Sequence, residues 1–171
     1  MKEIQLTRGK VALVDDEDFE LLSQNKWYAQ KYSKTDTWYA ARRIWKVDGN
    51  KDKTILMHIQ IMGTKPGFEI DHKDTNGLNN QKPNLRYCTS SQNQMNTKKR
   101  KGCTSKYKGI YWDNQMKSWR VRVKKDGKIM YQKLFKDEIS AAIAYNNAAI
   151  IHFGDFARLN IIPDLHQTHL I

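Results

Sequence analysis

The chain has 171 residues, room for one medium domain or two small ones. No run approaches the roughly 18 apolar residues of a membrane helix, and the start MKEIQLTRGK lacks an apolar signal core, so neither a membrane protein nor a secreted one is expected. Cys88 and Cys103, without CxxC spacing, exclude a disulfide framework and a structural zinc site and point to an intracellular protein with both thiols reduced, while the net charge of +12 points to a polyanion partner.

In chain order, KVALV (10–14) reads as a strand and DDEDFELLSQ (15–24) as a helix whose acids suit its N-terminal dipole, with Phe19 and Leu22 turned inward. Consecutive acids on a helix point in different directions, so Asp15–Asp18 do not converge on one ion. WYAQKY (27–32) and TWYAARRIW (37–45) read as a hairpin turning through SKTD, and TILMHIQIMG (54–63) follows the turn DGNKDK. PGFEIDH then reads as a short strand ending in a turn, and Asn84-Leu85-Arg86-Tyr87 as a second strand. Thr89-Ser-Ser-Gln92 fits a capping box that opens a helix from Ser90 to about Lys101, with Gly102 as its stop.

Beyond the linker TKKRKGCTSK (97–106), the segments KGIYW (108–112), SWRVRVKKDGK (118–128) and KIMYQKLF (128–135) read as three strands, the last two turning through Lys125-Asp126-Gly127. KDEISAAIAYNNAAIIHFG (136–154) reads as a long helix with Asp137 as N-cap and Gly154 as stop. Its expected inner face carries Ile139, Ala142, Ile143, Ala149, Ile150 and Phe153, interrupted by Asn146. The closing IPDLHQTHLI, with His166 and His169, reads as a loose tail. The expected fold class is α+β: a small N-terminal antiparallel sheet with one helix, a strand–loop–strand–helix core, and a three-stranded antiparallel sheet packed on one helix.

Charge is distributed unevenly. Fourteen Lys or Arg lie between Thr97 and Lys136 against Asp113 and Asp126 alone, which accounts for the whole excess; elsewhere sixteen basic and sixteen acidic residues cancel. Aromatic residues interleave with this block, as expected of a nucleic-acid footprint. Strand 118–124 alternates, with Trp119, Val121 and Val123 to one side and Arg120, Arg122 and Lys124 to the other. A helix covering the first side leaves a cationic sheet face of the kind that enters a DNA major groove.

The stretch IDHKDTNGLNNQKPNLRYCTSSQNQMN (70–96) carries a different chemistry. Phosphodiester hydrolysis needs a base for water, neutralisation of the phosphate, and stabilisation of the departing oxygen. A divalent cation on oxygen ligands does the last two, and a neutral histidine, with a reference pKa of about 6.5, does the first. Asp71, His72 and a downstream Asn supply that set. Neighbouring strand residues point to opposite faces, so Asp71 and His72 can serve one site only where the strand ends.

These residues resemble the HNH endonuclease motif in the variant whose last member is Asn, matched by His72, Asn84 and Asn93 with Asp71 before the histidine. The resemblance implies a ββα-metal fold, His72 as general base, and Asp71 and Asn93 as ligands of one Mg²⁺ or another divalent cation such as Mn²⁺. Asn84 would brace the loop between the strands and so position His72. His58 matches a histidine often found upstream in such nucleases, but is followed by Ile59 where Arg is usual, and is named as a supporting residue only.

Residues from about Ser105 to Asn160 resemble the Apetala/ethylene-response-factor DNA-binding domain, through SKYKGIYW, SWRVRV, Phe135, AAIAYNNAA and ARLN. The contacts this implies are Lys108, Tyr111, Arg122, Lys124 and Tyr131, with Arg120 added by alternation alone. Lys108, Tyr111 and Tyr131 replace residues of the plant pattern, so its base preference does not transfer.

The whole resembles phage- and intron-encoded homing endonucleases, with expected parts 1–57 (N-terminal segment), 58–101 (nuclease core), 102–160 (DNA reader) and 161–171 (tail). The expected partner is double-stranded DNA in the cytoplasm or nucleoid of a host. No membrane and no obligate protein partner are implied, and cutting both strands would need dimerisation or two visits. The rival readings are a DNA-binding regulator that does not cut and an RNA-binding module.

Overall fold

The computed structural model describes residues 1–32, 37–45, 53–99 and 102–163. The turn SKTD (33–36), most of DGNKDK, Arg100, Lys101 and the tail with His166 and His169 lie outside the described residues. The fold is mixed, with small antiparallel sheets and few helices, as the α+β class requires. Among the described residues no helix is long and apolar enough to cross a membrane. The chain divides into two compact units, Met1–Asn93 and Gln94–Ile171.

In the first unit, β1 (Lys2–Gln5) pairs antiparallel with β2 (Val11–Val14), and α1 (Asp16–Ser23) follows. The hairpin of β3 (Tyr28–Tyr32) and β4 (Thr37–Ile44) forms as expected, and β5 (Lys53–Leu56) extends it to three strands. Two elements were not anticipated: β1, whose KEIQ buries only Ile4, and α2 (Met57–Met62), a second N-terminal helix that buries Met57 and His58. Ile4, Val14, Leu22, Trp27, Ala40 and Met57 meet in one core, with Phe19 packed at its margin. The Trp27 indole N–H donates to the Leu22 carbonyl at 2.8 Å, so this large side chain is buried without an orphan donor.

The hairpin of β6 (Glu69–His72) and β7 (Leu85–Cys88) follows, with Asp71 opposite Arg86 and His72 opposite Leu85. The Asn-rich loop between them is docked on the N-terminal elements. Leu13 of β2 donates to the Leu78 carbonyl and accepts from Asn80 N, each at 2.8 Å. Asp15 does not cap α1; its carboxylate accepts from Lys82 N at 2.7 Å and Gln81 Nε2 at 3.1 Å. Lys82 Nζ reaches Glu17 and Asp18. The acid run therefore fastens the loop. Gly77 completes the docking, because a Cβ there would stand 2.5 Å from the Trp38 carbonyl and 2.6 Å from the Tyr39 ring.

The capping box forms in both directions: Gln92 N donates to Thr89 Oγ1 at 3.2 Å and Thr89 N to Gln92 Oε1 at 2.8 Å. The helix it opens, α3 (Ser90–Asn96), stops short of the expected end near Lys101. Thr97 turns back through its N–H and hydroxyl onto the Gln94 carbonyl, and the cations that follow gain nothing from being stacked on one helix.

In the second unit, β8 (Ile110–Asp113), β9 (Ser118–Lys125) and β10 (Lys128–Phe135) form an antiparallel sheet with β9 central, and α4 (Glu138–Phe153) packs on it. Asp137 caps α4, accepting from Ser140 N at 2.7 Å. The buried face of α4 departs from the expected one. Ala141, Ala142, Tyr145, Ala148, Ala149 and Phe153 are buried, whereas Ile143 and Ile150 are exposed. Alanines let the helix axis approach the sheet, and a face rotated toward isoleucine would hold the two apart. Asn146 does not merely interrupt the stripe: it exchanges two hydrogen bonds with the Asn160 backbone, and the Asn160 side chain bonds Lys108 N and O.

Candidate active site

His72 ends β6, and the chain turns at once, Thr75 N donating to the His72 carbonyl at 2.8 Å. The His72 ring is 5% exposed and packs edge-on against His58 at 4.9 Å and Tyr39 at 5.7 Å between centroids. Its Nε2 lies 3.3 Å from Asn80 Oδ1. The Asn80 amide donates to the Leu78 carbonyl, so its oxygen faces the imidazole and selects the Nε2–H tautomer, placing the ring lone pair on Nδ1. Burial pushes the His72 imidazole below its ordinary value; the hydrogen bond with Asn80 and the charges of Asp74 and Asp71 work the other way. The ring is therefore neutral at neutral pH.

Asp71 is equally buried and receives Arg86 Nε at 2.9 Å and Nη2 at 2.7 Å on Oδ2. The contacts of the Asp-His pair divide as strand geometry requires: Asp71 meets Arg86, and His72 meets Asn80, His58 and Tyr39. The Asp71 charge is nevertheless felt at His72.

Asn84 knits the loop. Its Oδ1 accepts from Asp74 N at 3.1 Å, and its Nδ2 donates to the Asn79 carbonyl at 2.8 Å and to Asp74 Oδ1 at 3.0 Å. Its own carbonyl accepts from Lys73 N, the residue after His72. Although burial works against it, hydrogen bonds from Asn76, Asn79 and Asn84 hold the Asp74 carboxyl below its usual value. Asn93, in the first turn of α3, donates through Nδ2 to Glu69 Oε2 at 2.5 Å. Glu69 and Asp71 share a face of β6 by alternation, so this bond brings Asn93 to the Asp71 side of the strand.

A cavity of about 510 Å³ adjoins the hairpin, with His58, Glu69 and Asn93 in its wall; Asp71 and His72 do not line it. Among the described residues, no three His, Cys, Asp or Glu side chains gather as a metal cluster would require. The oxygen donors of Asp71 and Asn93 are of the type a hard cation prefers. Mg²⁺ keeps several waters and takes few protein ligands, so two such oxygens suit it in kind.

Burial and the neighbouring His72 push the His58 imidazole down to about 3, and its Nδ1 has no hydrogen-bond partner among the described residues. Between that value and the ordinary 6.5 the unfolded chain binds a proton that the folded chain refuses, so this contribution to stability is lost as the pH falls through that window. The melting temperature of the first unit is expected to drop more steeply between about pH 6.5 and 4 in the native chain than in His58→Gln. Parallel curves in differential scanning calorimetry refute a buried neutral imidazole.

Of the residues expected to touch DNA, Tyr111, Arg120, Arg122 and Lys124 share one sheet face. Arg122 lies over the Tyr111 ring and donates to Gln132, while Arg120 pairs with Asp113. Two depart from that face. Tyr131 stands opposite Val123 and packs against the core, because the register shift between Ile129 and Tyr131 resets the alternation of β10. Lys108 Nζ donates to the carbonyls of Met95 at 2.5 Å and Thr97 at 2.7 Å, capping the end of α3.

Sequence reasoning missed Arg86, Glu69, Asn80 and Tyr39 as neighbours of the motif. For Arg86 a signal existed, since a hairpin closed by residues 73–84 sets it opposite Asp71.

Residues 56–95 match the sequence model of the HNH endonuclease family. An uncharacterized HNH endonuclease of Acanthamoeba polyphaga mimivirus is 32% identical over 150 residues, which is 84% of this chain and 75% of that protein. This chain belongs to the HNH endonuclease family. A second relative of this HNH protein, protein 3.8 of Escherichia phage T7, is 40% identical over 110 residues, 59% of this chain and 87% of the phage protein. No solved structure matches.

Proposed function

We propose that this HNH protein is a metal-dependent endonuclease of the homing or mobile-element kind that hydrolyses phosphodiester bonds of duplex DNA. The observation that carries it is the buried, neutral His72 at the end of β6, with Asn93 held onto the same strand by Glu69. His72 removes the proton from the attacking water through Nδ1, while Asn80 keeps Nε2 protonated. Asn84 holds the chain that leaves His72 and so fixes the ring. Asp71 and Asn93 hold the cation, Mg²⁺ or Mn²⁺. When bound, that cation neutralises the phosphate and the departing oxygen. Arg86 orients the Asp71 carboxylate and, until a cation arrives, compensates its buried charge.

The second unit serves in this proposal as a DNA-binding module of the Apetala/ethylene-response-factor kind, docking its Tyr111, Arg120, Arg122 and Lys124 face on the duplex. The boundaries 58–101 for the nuclease core and 102–160 for the reader belong to the same proposal.

One observation favours a rival, a DNA-binding regulator that does not cut: Asp71 is already paired with Arg86. Supercoiled plasmid separates the two. Nicking in Mg²⁺ that disappears with chelator and in Asp71→Asn is the expected result. Binding without a nick in Mg²⁺ or Mn²⁺ establishes the regulator.

A further inference from the structure

The cavity beside the hairpin has a composition that phosphate chemistry does not call for. Its volume of about 510 Å³ falls within the range of small-ligand sites. Tyr32, Tyr39 and Phe68 contribute aromatic rings, and Phe68 and Tyr32 remain 42% and 41% exposed. Lys65 holds its ammonium 4.5 Å from the Phe68 ring centre, at the same opening. Two of its lining residues carry polar atoms without protein partners among the described residues. One is His58 Nδ1, on a side chain 6% exposed. The other is Glu69 Oε1, since Asn93 takes only Oε2. His58 also touches the His72 ring, and Asn93 of the proposed cation site stands in the same wall, so the cavity adjoins the proposed catalytic centre.

We infer that this cavity is a subsite for one unstacked nucleobase of the DNA, adjacent to the phosphate that is cut; the inference rests on the nuclease reading above. An aromatic side chain open to solvent on one face offers a base the stacking it loses on leaving the duplex. A carboxylate oxygen in the same wall accepts from an exocyclic amine, which cytosine, adenine and guanine carry and thymine lacks. The Lys65 ammonium at the mouth meets the phosphate of the extruded nucleotide. The Glu69 carboxylate in the wall repels a phosphate, so the base and not the backbone enters the cavity.

The test maps the nicked phosphate on plasmid DNA first and then measures binding of the full chain to duplexes altered at each flanking position, in the absence of divalent cation. At one position a mismatch, which removes the cost of unpairing, is expected to tighten binding about tenfold, and an abasic residue to weaken it about tenfold. Thymine there binds less well than cytosine. Both responses vanish in Phe68→Ala and return in Phe68→Trp. A nick with equal affinities for matched, mismatched and abasic duplexes overturns the subsite and leaves the nuclease intact. Absence of any nick overturns both.

Discussion

Replacing His72 by glutamine is expected to slow plasmid nicking by about 10²- to 10⁴-fold, the usual contribution of a positioned general base, while leaving duplex binding and the melting temperature close to those of the native chain. Glutamine is the informative substitution because of where His72 sits. The ring is buried against His58 and Tyr39, and alanine would leave a void there and confuse chemistry with stability. A glutamine amide fills much of the same space and can still donate to Asn80 Oδ1, as His72 Nε2 does. What it lacks is a basic lone pair. Retention of the native nicking rate in His72→Gln refutes the base assignment. Loss of duplex binding along with the rate refutes the division of labour between the two units, because His72 belongs to the first unit and the cationic sheet to the second.

The second large effect falls on the second unit. Gly109→Ala is expected to destabilise it by about 3 kcal/mol or more, combining backbone strain with overpacking. Gly109 has φ +76°, a conformation that L-residues adopt at a cost, and an added Cβ would lie 2.1 Å from Tyr145 Cε2. Tyr145 is 2% exposed and central to the α4–sheet core, so its ring has nowhere to go. Gly102 provides the control. Its φ is +77° and a Cβ there meets nothing within 4 Å among the described residues, so Gly102→Ala carries the strain without the collision. Guanidinium unfolding should show a clearly larger loss for Gly109→Ala. Equal losses at the two positions would mean that the close approach of Tyr145 to the first strand is wrong. Unfolding of the second unit should also abolish duplex binding, whatever happens at His72.

The parts of this molecule that were legible in the sequence share a physical property: their causes lie within a few residues. The capping box needs only Thr89 and Gln92, the α4 N-cap only Asp137 and Ser140, and the alternation of β9 only its own pleat. The resemblance of the segment to the HNH family rests on residue type and spacing, which survive without knowledge of packing, and the family match over residues 56–95 agrees with it. The inner face of α4 was misjudged because hydrophobicity ranks isoleucine above alanine, whereas helix–sheet contact here rewards small side chains and one large tyrosine over a glycine. The end of α3 was placed too far along because a lysine twelve residues beyond it caps the last carbonyls.

From local pattern alone follow the α+β class, most of the strands, and the starts of α1, α3 and α4. Pattern also locates the whole excess positive charge in one segment. Only the folded chain settles what the side chains touch. It pairs Asp71 with Arg86, buries His72 against His58 so that the ring stays neutral, and turns Tyr131 and Lys108 away from the cationic face. The reason is that charge state and orientation depend on desolvation and on neighbours remote in sequence, quantities that exist only once the surfaces have met.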